Sequence, residues 1–443
     1  MTYKNNIPSE KVIDSIRKHM IGDGFEFVLD MEKSHGSYVY DALTNREILD
    51  FYSCFASNPL GFNHPGLLRD DVMEKLNLTA RNNVTNSDLF TDFKAEFVET
   101  FYDKAAPQDM PHMFLVAGGS LAVENALKAA FDWKGRKNLM AGNTFHKDLK
   151  VMHLKQAFHG RSGYTLSLTN TDQVKTEFFP KFDWPRLENP KVTFPDEGIA
   201  HDELKRQEML SIVQAKHAVL THGDSIAACI IEPIQGEGGD NHFRTEYLMT
   251  LQAICQENDI IFIVDEIQTG VGLTGKMWAY EHYGLKPDML CFGKKTQVCG
   301  FLSTNRIDEV EDNVFSASGR INSTWGGTLV DMVRCSRYLE IIEEDKLVDN
   351  AAKMGDLLLK GLLELQNEFS DIVSNSRGKG LLCAFDVNTT DMRNTLRNTA
   401  FDNGMLVLNS GEKSIRFRPA LNVGEEQISM AITILREIIP TVA

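Results

Sequence analysis

Asp265 ends the apolar run IIFIVD, and Lys294 follows the run MLCFG 29 residues further on, about one βα unit later. In α/β sheets, ligands bind beyond the carboxyl ends of the strands. Two neighbouring strand ends would therefore present a carboxylate and an amine to one crevice. Alone, such a pair is more often an ion pair than a catalytic pair. A third element changes the balance. VAGGSLAVENALKAAF (116–131) is a glycine turn running into a helix, and bare backbone N–H groups at a helix start bind phosphate. One ligand uses all three features. It is pyridoxal 5'-phosphate, with its phosphate at Gly119 and Ser120, its ring nitrogen against Asp265 and its aldehyde joined to Lys294 as an imine. An aspartate within hydrogen-bond reach keeps the pyridine nitrogen protonated, an interaction of roughly 4 kcal/mol at an effective dielectric of about 20. The amine must be neutral to attack the aldehyde. Burial and nearby cations lower its pKa. The neighbouring Lys295 is a candidate cation, unless it points to solvent.

Two other motifs overlap in one place. Residues 270–275 read GVGLTG, and with Lys276 they approach a phosphate-loop pattern. Met277 stands where that loop needs Ser or Thr to hold Mg²⁺. The dinucleotide pattern needs its first glycine directly after the strand, whereas here EIQT intervenes after Asp265. A glycine-rich turn is the expected outcome, and a nicotinamide-dependent oxidoreductase is the rival it would have supported.

The elements that must position these residues follow from pattern. From about 90 to 300, apolar runs (HMFLVAGG, KVMHLKQAF, SIAACIIEPI, DIIFIVDE, DMLCFGKK) alternate with helix-period stretches. Runs of that kind suit parallel strands covered on both faces. TEYLMTLQAICQEN (245–258) reads as a crossover helix, so the region is an α/β domain. The last ~110 residues alternate long helical patterns with the strands RGKGLLCAFDV and SIRFRPAL, a smaller α+β domain. The first ~60 residues pack beside it.

The 443 residues carry a formal net charge of −16, which repels phosphate backbones and argues against nucleic acid as a general partner. Seven scattered cysteines without a C-x-x-C pair argue against a disulfide framework or a zinc site and for a reducing compartment. The charged N-terminal segment lacks the apolar core of a signal peptide, and no run approaches the length of a membrane span. A cytoplasmic location, with no metal and no membrane contact, is expected.

GSYVYDALTNREILDF, LGFNHP, AFHGRSGYT, IIEPIQGEGG, VDEIQTGVGLTG, FGKK, NSTWGG, RGKGLL and IRFRPAL stand in one order and spacing. In that order the chain resembles the class III (omega) aminotransferases, pyridoxal-phosphate enzymes of fold type I, over about residues 35–440. FGKKTQVCG, EPIQGEGGDNHFR and INSTWGGTL are most similar to the lysine branch of that family. So is Leu121, where the wider family carries a glutamate.

The resemblance implies a mostly parallel seven-stranded sheet in a large cofactor domain (76–330) and a small α+β domain (331–443). An N-terminal segment (1–75) would pack with the small domain. It implies that Lys294 forms the imine and shuttles a proton, and that Asp265 pairs with the pyridine nitrogen. Phe158 and Ile267 would flank the ring, and Gln268 would sit near its oxygen. Gly119 and Ser120 would bind the phosphate, with Thr324 donated by a second subunit of a homodimer.

The implied reaction moves the ε-amino group of L-lysine to 2-oxoglutarate by a ping-pong route. Its products are L-glutamate and 2-aminoadipate 6-semialdehyde; ornithine or 4-aminobutyrate are the alternative donors. Arg416 would take the α-carboxylate of 2-oxoglutarate. Arg161 would take the lysine α-carboxylate, then the distal carboxylate of the acceptor. Glu237 would mask Arg416 while lysine is bound. Arg418 is the lower-ranked alternative to Arg416. A non-catalytic protein of this fold remains the third class.

Overall fold

The five apolar runs, together with two strands that no run marked, build one sheet. Its strands are β1 (His112–Val116), β2 (Lys150–Leu154), β3 (Arg186–Leu187), β4 (Ile226–Ile231), β5 (Ile261–Asp265), β6 (Met289–Phe292) and β7 (Cys299–Ser303). The computed structural model describes residues 7–143 and 148–442. The first six residues of the expected N-terminal segment lie outside them. The spatial order is β1-β7-β6-β5-β4-β2-β3. From β6 to β3 every pairing is parallel. Only β7 runs against its neighbours, β1 and β6. The expected α/β fold with a mostly parallel seven-stranded sheet is therefore present.

Every residue of β4, β5 and β6 is buried. Alternate side chains of a strand point to opposite faces, and here both faces are covered. Phe262, Val264, Leu290 and Phe292 join one core cluster, while Ile261, Ile263, Met289 and Cys291 join another. The helix Thr245–Glu257 forms the expected crossover between β4 and β5. The helix Gly119–Met140 packs across β4, β6 and β7.

The C-terminal region holds the helices Leu329–Glu344 and Leu347–Glu368. It also holds a four-stranded sheet in the order Val373–Lys379, Leu382–Val387, Ser414–Phe417, Leu408–Ser410. RGKGLLCAFDV, read from sequence as one strand, is a hairpin. Gly380 turns it at φ +51, where a Cβ would lie 2.4 Å from the backbone of Thr274. The N-terminal strands Leu29–His35, Tyr38–Asp41 and Arg46–Asp50 form a sheet whose last member pairs in parallel with Met405–Leu406.

GVGLTG is a turn, as expected. Gly272 and Gly275 lie against Val348 and Ala352 of the helix Leu347–Glu368, which leaves that face to packing. Among the described residues, no helix is long and apolar enough to cross a membrane, and no group of metal-ligating side chains is found.

Candidate active site

The parallel pairing of β5 with β6 sets Asp265 opposite Cys291, so the chain leaves β6 just beside the carboxylate. It continues through Gly293 and turns at Lys294, which adopts φ 52. Lys294 and Asp265 consequently line one cavity of about 490 Å³ at the carboxyl ends of the strands. Gly119, Ser120, Phe158, Arg161, Glu237, Ile267 and Gln268 line the same cavity. Arg416 reaches its edge through Glu237 and Gln268. Thr324 does not come to it within this chain. It is exposed, in a loop whose carbonyl accepts a hydrogen bond from Ser87 Oγ at 3.4 Å.

Burial holds the Lys294 amine down at about 8, with help from the Arg416 and Arg418 guanidinium groups. Lys295, the cation suggested by sequence, interacts with Lys294 in the reverse sense: the Lys294 charge helps to lower the Lys295 amine. Its buried Nζ turns the other way and donates to the carbonyl oxygens of Gln268 (2.7 Å) and Ala56 (3.4 Å). Burial pushes that amine well below its ordinary range. Lys295 thus does not point to solvent; it ties down the cavity wall.

The wall contains an unusual turn. Ser53, Cys54, Phe55 and Ala56 all have left-handed backbone angles, with φ from 44 to 60. Such geometry costs roughly 1–2 kcal/mol per non-glycine residue and persists where surrounding structure imposes it. It brings the Phe55 ring to 5.9 Å from Lys294 Nζ and 6.0 Å from the Arg416 guanidinium.

Asp265 is held on both oxygens. Oδ1 accepts the Ile267 N–H at 3.1 Å, and Oδ2 lies 2.8 Å from Nδ1 of His159. The latter contact puts the proton on Nδ1 whenever Asp265 is a carboxylate. Glu232 lies underneath and accepts the N–H groups of Phe158 and Gly236, each at 2.9 Å. Burial raises its carboxyl to about 7.

At the other end, the helix Gly119–Met140 begins without a side-chain cap, so its first N–H groups remain open to an anion. Ser120 Oγ lies 2.5 Å from Ser162 Oγ and 2.9 Å from Thr165 Oγ1. Glu124 anchors this hydroxyl cluster, accepting from Ser162 Oγ (3.0 Å) and the Thr165 N–H (2.9 Å).

The two arginines of IRFRPAL part company. Arg416 is buried, and its Nη2 donates to Glu237 Oε2 at 3.2 Å, while its Nε has no partner among the described residues. Arg418 is committed to the buried carboxylate of Asp240 and to the Phe417 carbonyl, so it is not free for a substrate. Glu237 is also held by Lys175, whose Nζ donates to Oε1 at 2.6 Å. Arg161 is exposed and makes no hydrogen bond or ion pair among the described residues.

The class-III aminotransferase family model matches residues 22–439. The chain belongs to the class-III aminotransferases. It is 44% identical to the L-lysine-epsilon aminotransferase of Streptomyces clavuligerus, over 99% of this chain and 96% of that one. It is 30% identical to the mitochondrial 4-aminobutyrate aminotransferase of Homo sapiens, over 98% and 90% of the two chains. Among solved structures, lysine aminotransferase from M. tuberculosis in the internal aldimine form matches with a TM-score of 0.96 at 44% identity, covering 99% and 100%. The cofactor of this aminotransferase is pyridoxal 5'-phosphate, as the sequence indicates. The cavity fits it with an uncapped helix start, a buried amine lowered to about 8 and a buried, oriented carboxylate.

Sequence reasoning missed His159, Glu232 and Lys175. His159 was within reach, because it stands in the HGR segment beside two residues that were chosen. Lys175 gave no signal: it lies in a connection without periodicity, 62 positions from its partner.

Proposed function

We propose that this aminotransferase moves the ε-amino group of L-lysine to 2-oxoglutarate, giving 2-aminoadipate 6-semialdehyde and L-glutamate by a ping-pong route. The observation that carries the reading is the Glu237–Arg416 pair. A site that serves both substrates must accept a chain with no carboxylate beside the reacting carbon, then one with a carboxylate there. Leaving buried Arg416 unpaired in the first case would cost about 3–5 kcal/mol. Glu237 removes that cost and must withdraw in the second case.

Bound pyridoxal phosphate would supply an electron sink for the loss of a proton from the carbon beside the reacting nitrogen. Lys294 Nζ would take that proton and deliver it to the carbon on the other side of the nitrogen. Asp265, oriented by His159, holds a proton at the pyridine nitrogen. Phe158 and Ile267 confine the ring, Gln268 sits by its oxygen, and Gly119 and Ser120 receive the phosphate. Arg161, which has no partner among the described residues, forks onto the lysine α-carboxylate and then onto the distal carboxylate of the acceptor.

We further infer a homodimer in which Thr324 completes the phosphate site of the partner. Phe90 (96% exposed) and Trp325 (48%) support this, as large apolar side chains on the two segments joined by the Ser87–Thr324 contact. Residues 76–330 are assigned to the cofactor domain, and 1–75 with 331–443 to the smaller one. The seven free cysteines favour a cytoplasmic setting.

Side-by-side assays of lysine, ornithine and 4-aminobutyrate with 2-oxoglutarate test the substrate. Lysine should give the highest kcat/KM; either other donor ahead of it overturns the assignment. Glu237→Ala should expose Arg416 to α-carboxylates. The rate of glutamate α-transamination relative to lysine turnover should then rise by roughly tenfold or more. An unchanged ratio counts against the switch.

A further inference from the structure

The carboxylate end of the cavity holds a cation that the reaction as described does not use. Lys175 closes the short turn Gln173–Lys175 in the connection between β2 and β3. Its Nζ donates to Glu237 Oε1 at 2.6 Å, while Arg416 holds Oε2 at 3.2 Å. The same ammonium stands 5.8 Å from the centre of the Phe158 ring. One carboxylate is thus shared between two cations that approach from different elements.

The backbone beneath Glu237 is fixed. The Glu237 carbonyl accepts the Gly411 N–H at 3.0 Å, and Asn241 Nδ2 donates to the Gly238 carbonyl at 3.1 Å. Arg377 donates to the carbonyls of Gly239 (2.5 Å) and Asp240 (2.9 Å). The Asp240 carboxylate is gripped by Arg418 and Ser410. At Gly238 the chain passes so close to the Gln156 carbonyl that a Cβ would sit 2.0 Å from it. The freedom left to Glu237 is rotation of its side chain. A carboxylate that leaves Arg416 by rotation needs a second partner, and Lys175 is already on its other oxygen.

Charge count favours the same division. With Glu237 shared, the cluster has two cations and one anion, a surplus that attracts an entering carboxylate. With an oxo-acid carboxylate on Arg416 and Glu237 on Lys175, two cations face two anions.

Resting on the switch reading above, we propose that Lys175 is the positioning residue that keeps Glu237 paired while Arg416 binds the α-carboxylate of the oxo acid. It thereby sets how readily the second half-reaction begins. Its loss leaves Glu237 with Arg416 as its one strong partner and makes their separation harder.

The test compares Lys175→Met, Lys175→Arg, Glu237→Ala and the double variant Lys175→Met/Glu237→Ala in the holoenzyme. Lys175→Met should raise the KM for 2-oxoglutarate about fivefold or more, with a much smaller shift in the KM for lysine. Lys175→Arg should restore most of the difference. In the Glu237→Ala background, Lys175→Met should have no further effect on the 2-oxoglutarate KM. Equal changes for both substrates, no change in either, or a KM rise that persists without Glu237, would overturn the role of Lys175. If Glu237→Ala alone leaves the glutamate-to-lysine ratio unchanged, the switch itself falls and this proposal with it. An altered ratio with a silent Lys175→Met removes only the proposal.

Discussion

Lys294→Ala is expected to lower turnover by about 10⁴-fold or more, the upper range for loss of a positioned proton carrier. The argument is positional. Lys294 Nζ lines the cavity, and burial with Arg416 and Arg418 lowers its amine to about 8, which raises its neutral fraction at physiological pH. The adjacent Lys295 cannot replace it. Its Nζ is fixed on the Gln268 and Ala56 carbonyls, and its own side chain is buried behind the wall. Steady-state kcat checks the expectation, alongside the visible absorbance of the cofactor, which should still respond to added lysine. Activity within about 100-fold of the parent would mean that another group carries the proton.

Asp265→Asn should lower kcat by roughly 10²–10³-fold, the usual effect of removing one fixed charge partner from a buried site. The amide keeps the shape. Its oxygen can still accept from His159 Nδ1, which now lies 2.8 Å from Asp265 Oδ2. Its NH₂ group then takes the place of Oδ1, loses the bond from the Ile267 N–H and offers the pyridine nitrogen a donor, which disfavours a proton there. A cofactor analogue with a permanent positive charge on that nitrogen should recover part of the lost rate. An undiminished Asn variant, or a diminished one that the analogue fails to improve, would show that Asp265 serves only to shape the cavity.

Asp265 and Lys294 were legible in the sequence because apolar runs mark strands, and strand ends place side chains. The limits were also physical. β7 follows Lys294 almost at once and runs antiparallel, so VCGFLS carries no helix between it and β6 to announce a new strand. Arg416 and Arg418 are two residues apart in an extended segment, where periodicity puts both on one side. Only the Asp240 carboxylate, from 178 positions away, separates them. Lys295 misled for the opposite reason. It is next to Lys294 in the chain, yet its amine is committed to the Gln268 and Ala56 carbonyls. His159 reaches Asp265 across 106 positions, a contact that no local pattern encodes.

The grip on the coenzyme ring and the choice of acid are anchored in different sheets. Asp265 and Lys294 depend on two hydrogen-bonded strands, β5 and β6, whose register sets their separation. Arg416 hangs from the strand Ser414–Phe417, in the sheet built by the C-terminal residues. A change confined to that second sheet would therefore alter the carboxylate partner of Arg416 while leaving the separation of Asp265 and Lys294 as it is.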